Sequence, residues 1–291
     1  MFVPPNTKAH RQLNPRMGMF RFSSVRVIAI FLLVLSVSHA QAASELTTLE
    51  PRPGVKLKLM VLEPDTKPKG VLVLYAGGVG TLSLGSMFGK PFVGDQSYAQ
   101  NFLVRVRNSF VDAGFVVVLP DVPSDRQKLD YVYRLGEDQT KDAQAVVSHI
   151  RDRYGVSIWL IGTSASALSV ATGAISLGTQ ISGVIFSASV TRVPSHYLVY
   201  EKYPQGVVST DLQSIKVPTL VISHKDDGCN FSPAGDAEAI RSKLTSSPRV
   251  EVRYFSGGST PRSAPCDALS PHGFLGIEDQ VVNEMLRFIS G

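Results

Sequence analysis

The sequence predicts an α/β protein with a mainly parallel, doubly wound sheet flanked by helices, and three observations carry that expectation. Short apolar runs rich in β-branched residues recur along the chain. Segments with helical spacing separate them, and no repeat, low-complexity tract or long polar linker interrupts residues 43–291. Strand–helix–strand order repeated in this way implies right-handed crossovers, which place helices on both faces of one sheet.

The apolar runs are Val71–Tyr75, Phe115–Leu119, Ser157–Ile161, Gly183–Ser187 and Pro218–Ser223. Each is too short for a buried helix and lacks period-two alternation, as expected of strands covered on both faces. Val55–Leu62 reads as an antiparallel starter strand, Val250–Phe255 as the last strand and Ile277–Ile289 as a closing helix. Between the runs, Asp95–Ala113 carries Tyr98, Phe102, Leu103, Val106 and Phe110 at helical spacing and stops at Gly114. Gln139–Tyr154 carries Ala143, Val146, Val147 and Ile150 and stops at Gly155, a glycine being the usual residue past a helix C-terminus.

Residues 1–42 read as a signal peptide. A basic stretch ends at Arg26, Val27–Val37 is an uncharged apolar core, and Ala40-Gln41-Ala42 offers small residues where a signal peptidase inspects them. Cleavage is expected before Ala43. The apolar core is shorter than the roughly 20 residues a membrane-spanning helix needs, so no stable anchor is expected after cleavage. No cysteine follows the core to carry a lipid. A start at Met17 or Met19 would leave Arg21 and Arg26 as a basic region of ordinary length. The formal charge of +5 comes from this leader: Lys8, Arg11, Arg16, Arg21 and Arg26 lie in it, with no acidic residue beside them. The mature chain is neutral, which removes the electrostatic case for a nucleic-acid partner. Export to a secreted or periplasmic location would put Cys229 and Cys266 in a disulfide-permissive compartment, where they are expected to pair rather than remain buried thiols.

The most informative stretch runs from Ser157 through Gly162-Thr163-Ser164-Ala165-Ser166 into a helix of small residues. A buried strand entering a tight turn and then a helix is the context of a G-x-S-x-G nucleophile elbow, which exposes the serine hydroxyl beside a helix N-terminus. Ser166 stands where that pattern has its last glycine. Helix capping is the alternative use of Ser164.

With this elbow and strand order the chain resembles the α/β hydrolases, more particularly small secreted or periplasmic esterases, over essentially the whole mature chain. The resemblance implies an oxyanion loop after Val71–Tyr75, with the N–H of Gly78, or alternatively of Val79, opposite that of Ala165. The competing reading of Gly78-Val79-Gly80 as a dinucleotide-binding motif lacks its third glycine, Ser83 standing there, and no phosphate-binding loop with the required spacing exists. Neither a cofactor nor a metal is expected.

The resemblance also implies an acid after a late strand and a histidine after the last one. Strand Pro218–Ser223 leads to Asp226-Asp227; the spacing favours Asp227, with Asp226 as the alternative. Of the four histidines beyond the leader, His149 and His196 precede that acid, and His224 adjoins it. His272 remains as the base. A Cys229–Cys266 bridge would then pin the acid loop to the base loop, since the long polar stretch before His272 would otherwise hold it loosely. Residues 188–213, with Tyr197, Tyr200 and Tyr203, would form a small cap. The implied activity is cleavage of a small-molecule ester, or an amide, through a Ser164–His272–Asp227 triad. Alternatives are a non-catalytic binding module on the same scaffold and an acyltransferase using the same acyl-enzyme.

Overall fold

The apolar runs form the middle of an eight-stranded sheet in a computed structural model that describes residues 44–291. The signal peptide expected in residues 1–42 lies outside the described residues. In chain order the strands are β1 (Ser44–Arg52), β2 (Val55–Leu62), β3 (Val71–Tyr75), β4 (Leu84–Met87), β5 (Lys90–Val93), β6 (Val116–Pro120), β7 (Ile158–Thr163), β8 (Gly183–Ser187), β9 (Thr219–His224) and β10 (Val250–Phe255). The large sheet has the order β1-β2-β6-β3-β7-β8-β9-β10, and β4–β5 is a separate hairpin. β2 pairs antiparallel with β1 and β6, while every pair from β6 to β10 is parallel.

The helices are α1 (Gln96–Ala99), α2 (Phe102–Arg105), α3 (Arg107–Asp112), α4 (Tyr131–Arg134), α5 (Glu137–Tyr154), α6 (Ser166–Leu177), α7 (Ala237–Lys243) and α8 (Glu278–Ser290). Alternate residues of the central strands feed two cores. Val71, Val73, Leu160 and Phe186 pack with α5, α6 and α7 on one face, and Leu72, Leu74, Ile161 and Ile185 pack with α2, α3 and α8 on the other. Burial on both faces explains why these runs show no alternation of apolar and polar residues. α5 ends at Gly155 in the left-handed conformation (φ +60°), as its sequence suggested.

Three elements differ from expectation. The segment Asp95–Ala113 is three short helices instead of one. Its apolar spacing is genuine, with Phe102, Leu103, Val106 and Phe110 buried, but the chain steps out of helical geometry at Asn101 (ψ 139°) and again at Val106. The β4–β5 hairpin turns on Phe88-Gly89, both with positive φ (+50° and +77°). A phenylalanine in a place that favours Asn or Asp hides the turn from a sequence reading. Strand β1 is an edge strand of mixed polarity carrying Pro51, which masks its pattern.

Register brings three loops together. Tyr75 of β3 lies beside Gly162 of β7, and Thr163 beside Ser187 of β8. The loops leaving the C-terminal ends of β3, β7 and β8 therefore emerge side by side.

Candidate active site

Ser164 sits between β7 and α6 with φ +57°, a conformation a non-glycine residue adopts only under local constraint. The constraint is crowding: a Cβ at Gly162 would lie 2.7 Å from the Ser166 carbonyl oxygen. Ser166 fits the last elbow position because its hydroxyl has partners. It is fully buried, donates to the Tyr75 carbonyl at 2.6 Å and accepts the Thr163 N–H at 2.8 Å, tying the ends of β3 and β7 together. Helix α6 begins at Ser166 with Ala165 at its cap and no side-chain cap bond, so the Ser164 hydroxyl is not used for capping.

The β3 loop passes close to this turn. A Cβ at Gly77 would lie 2.7 Å from the Thr163 carbonyl oxygen and 3.1 Å from the Ser164 Cβ, which only glycine tolerates. The Val79 N–H donates to the Tyr98 hydroxyl at 2.9 Å. Among the described residues the Gly78 and Ala165 N–H groups have no hydrogen-bond partner. Of the two alternatives for the loop donor, Gly78 is thus the one left free.

The two adjacent aspartates part company. Asp226 points outward, its side chain 68% exposed. Asp227 points inward at 1% exposure and holds His272 Nδ1 at 2.8 Å, while accepting the Cys229 N–H at 2.9 Å and the Ser232 hydroxyl at 3.1 Å. Such bonds fix the ring orientation and leave the other nitrogen for chemistry. His272 Nε2 is buried with no partner and lines the same small cavity, about 40 Å³, as Ser164. The remaining histidines have other surroundings. His224 is buried and engaged at both nitrogens, by the Gly257 carbonyl and the Asp226 N–H, whereas His196 is exposed at the pocket rim and His149 lies on α5.

Cys229 and Cys266 form a disulfide with Cα atoms 4.5 Å apart, joining the loop after β9 to the loop before His272. Both half-cystines line a pocket of about 480 Å³ that opens over Ser164. Residues 188–213 contribute one wall as a loop with two short 3₁₀ turns; Val190 and Val193 pack on Ala165, and Tyr197 stacks edge-on with Tyr131 at 5.3 Å. Burial, reinforced by Tyr197, pushes the Tyr131 hydroxyl up to about 12, so it is a neutral donor in the working range. Among the described residues no cluster of three or more His, Cys, Asp or Glu could hold a metal, and no helix is long and apolar enough to cross a membrane.

Two residues that the sequence did not single out hold the loop. Arg134 is fully buried without a carboxylate partner. Its guanidinium donates to the carbonyls of Ala76 (3.1 Å), Gly78 (3.0 Å) and Leu129 (3.1 Å) and to the Ser169 hydroxyl (2.9 Å). Burial lowers its pKa to about 10, which still leaves it charged at neutral pH. Pulling on the Gly78 carbonyl orients the peptide next to the free Gly78 N–H. Asp121, at the end of β6, accepts the N–H groups of Leu82, Ser83 and Leu84 and fixes the same loop further on. Neither contact has a local sequence signature, because both partners are distant in the chain.

Sheet order, a strained serine turn between strand and helix, and an acid and a histidine on later loops together define an α/β-hydrolase fold. Solved structures agree. The chain superposes on an esterase of Pyrococcus furiosus with a TM-score of 0.60 at 14% identity, covering 86% of this chain and 91% of that one. Est1E from Butyrivibrio proteoclasticus gives 0.57 at 14% identity, covering 85% and 100%. Dipeptidyl peptidase 4 of Porphyromonas gingivalis gives 0.58 at 12% identity, covering 86% of this chain but 36% of that one. No family model and no curated protein matches the sequence.

Proposed function

We propose that the protein is an exported serine hydrolase that cleaves a small-molecule ester through an acyl-enzyme. The observation that carries this reading is the buried Asp227–His272 pair, with an unpartnered His272 Nε2 in the cavity that Ser164 lines. In the proposed reaction His272 Nε2 takes the Ser164 proton as the hydroxyl attacks the carbonyl carbon. Asp227 orients the imidazole and stabilises its cation, and the N–H groups of Gly78 and Ala165 hold the oxyanion. The ester C–O bond breaks as His272 returns the proton to the leaving oxygen, and water then releases the acid by the same route. The fold is shared with two esterases and with a dipeptidyl peptidase, so the choice of an ester over an amide is part of the proposal.

Export to the periplasm or exterior, with cleavage before Ala43, is part of the proposal. It is supported by the leader sequence and by a disulfide, a bond that persists in oxidising compartments. Hydrolysis of p-nitrophenyl esters by the purified protein, beside Ser164→Ala, tests the activity. Turnover that survives the substitution would refute it. Intact mass of exported protein starting at Ala43 is the expected outcome for the leader; an uncleaved N-terminus would contradict that part alone.

A further inference from the structure

Asp227 is a buried carboxylate with few donors to replace the water it has lost. Among the described residues no lysine or arginine pairs with it. Besides the His272 ring, two groups donate to it: the Cys229 N–H to Oδ1 and the Ser232 hydroxyl to Oδ2. A buried charge short of donors is costly, so each of the two carries weight. Of the two, only Ser232 supplies its donor from a side chain.

The Ser232 hydroxyl reaches both members of the acid–base pair. Its Oγ lies 3.1 Å from Asp227 Oδ2 and 3.0 Å from His272 Nδ1, and those two atoms are 2.8 Å apart. The three atoms close a triangle that holds two protons. In the tautomer that leaves Nε2 bare, Nδ1 carries its proton and accepts no other. The Ser232 proton then goes to Oδ2, and an Oγ lone pair faces the Nδ1 proton. In the opposite tautomer a bare Nδ1 would stand against the Oδ2 carboxylate oxygen, which is repulsive at that separation.

Ser232 is itself fixed from two sides. Its N–H donates to the Cys229 carbonyl at 3.1 Å, beside the disulfide. The carbonyl of Phe231 accepts the N–H groups of Thr191 (2.8 Å) and Arg192 (3.1 Å) from the segment over the pocket. The side chain is buried, and among the described residues its hydroxyl bonds only to Asp227 and His272. Turn formation therefore does not account for the hydroxyl.

We propose that Ser232 is a positioning residue for the Ser164 reaction: its hydroxyl holds the Nδ1 proton of His272 against Asp227, so that Nε2 stays the free base. The inference rests on the serine-hydrolase reading. When Nε2 takes the Ser164 proton, the ring becomes a cation carrying both protons. Nδ1 and Ser232 each keep their own proton, and the Oδ2 and Oγ atoms both face the cation. The Nε2 proton then passes to the leaving oxygen, and the triangle is unchanged at the end of the step.

Ser232→Ala and Ser232→Thr test this beside the wild type, all shown to be folded. The readouts are the second-order rate of Ser164 labelling by a fluorophosphonate, kcat and KM for a p-nitrophenyl ester, and the downfield proton resonance of His272 Nδ1. Alanine is expected to slow labelling and lower kcat by about 10-fold with KM little changed, and to shift or broaden the resonance. Threonine keeps the hydroxyl and is expected to restore both rates to within ~3-fold of wild type. Labelling of Ser232→Ala at the wild-type rate, or a loss confined to KM, would overturn the proposal and leave the nucleophile standing. So would a slow alanine variant that keeps the wild-type Nδ1 resonance. If the wild-type protein does not label at all, the serine-hydrolase reading itself fails.

Discussion

Ser164 and His272 approach one another from regions that are held in place by opposite means. Ser164 stands on the sheet: β7 is laddered to β3 on one side and β8 on the other, and the turn is closed by Gly162 and the Ser166 hydroxyl within a few residues. His272 ends an irregular stretch that leaves β10 at Phe255, and its position depends on cross-links. The Cys229–Cys266 bond ties that stretch to the Asp227 loop. The Ser270 hydroxyl donates to the Pro265 and Asp267 carbonyls, and Arg105 donates to the Ala268 and Gly273 carbonyls while pairing with Glu278. Ser164, the proposed nucleophile, is thus positioned by local backbone geometry, whereas His272, the proposed base, depends on tertiary tethers. Damage to the tethers should leave the elbow intact and impair only its partner.

The largest effects should fall equally on both regions. Ser164→Ala and His272→Ala are each expected to reduce kcat by about 10⁴-fold or more, with native-like circular dichroism. Asp227→Asn should follow at about 10⁴-fold, because it removes the group that fixes the His272 tautomer, while the exposed neighbour in Asp226→Asn should change kcat by less than ~2-fold. Steady-state kinetics on the pair separates them, and equal losses would contradict the inward and outward orientations.

Arg134 sharpens the comparison on the elbow side. Arg134→Gln releases the Gly78 carbonyl, and a displaced oxyanion donor is worth about 10²-fold in kcat with KM little changed. A loss confined to KM would assign Arg134 to binding instead.

The disulfide breaks the comparison on the His272 side. The chain-entropy model gives about 3–4 kcal/mol for closing a loop whose ends are 37 residues apart, so Cys229→Ser with Cys266→Ser should lower Tm by roughly 10 °C. Activity below that Tm should fall about 10-fold through loose placement of His272. Unchanged kcat would mean that the remaining tethers suffice.

The smallest effect concerns Glu278. Burial works against its charge, yet the backbone N–H groups at the start of α8 and of Gly276, with the Arg105 guanidinium, hold its carboxyl below the usual glutamate range. That link therefore contributes stability above a pH of about 4.3 and loses it as pH falls through the lowered value. Arg105→Gln should flatten this acid limb in Tm measured against pH; an unaltered limb would place the effect elsewhere.

The same contrast governs what could be read from the sequence. The sheet was legible because β3, β6, β7, β8 and β9 are continuous β-branched runs, and the elbow because its constraint is contained in Gly162–Ser166. Helix Asp95–Ala113 misled because apolar spacing reports which side is buried, not whether the backbone stays helical through Asn101. Spacing favoured Asp227 but left Asp226 open, because a turn decides which adjacent side chain faces inward. Arg134, Asp121 and Tyr98 were illegible for a related reason. Their partners are backbone groups far away in the chain, so neither residue type nor spacing marks them.

The central claim is that the buried Asp227–His272 pair activates Ser164. Intact-mass analysis after exposure to a fluorophosphonate tests it most directly, on the wild-type protein, Ser164→Ala and His272→Ala, all shown to be folded. One adduct on the wild type, none on Ser164→Ala and greatly slowed labelling of His272→Ala is the result expected. No adduct on the folded wild type, or an adduct that persists on Ser164→Ala, would contradict the account.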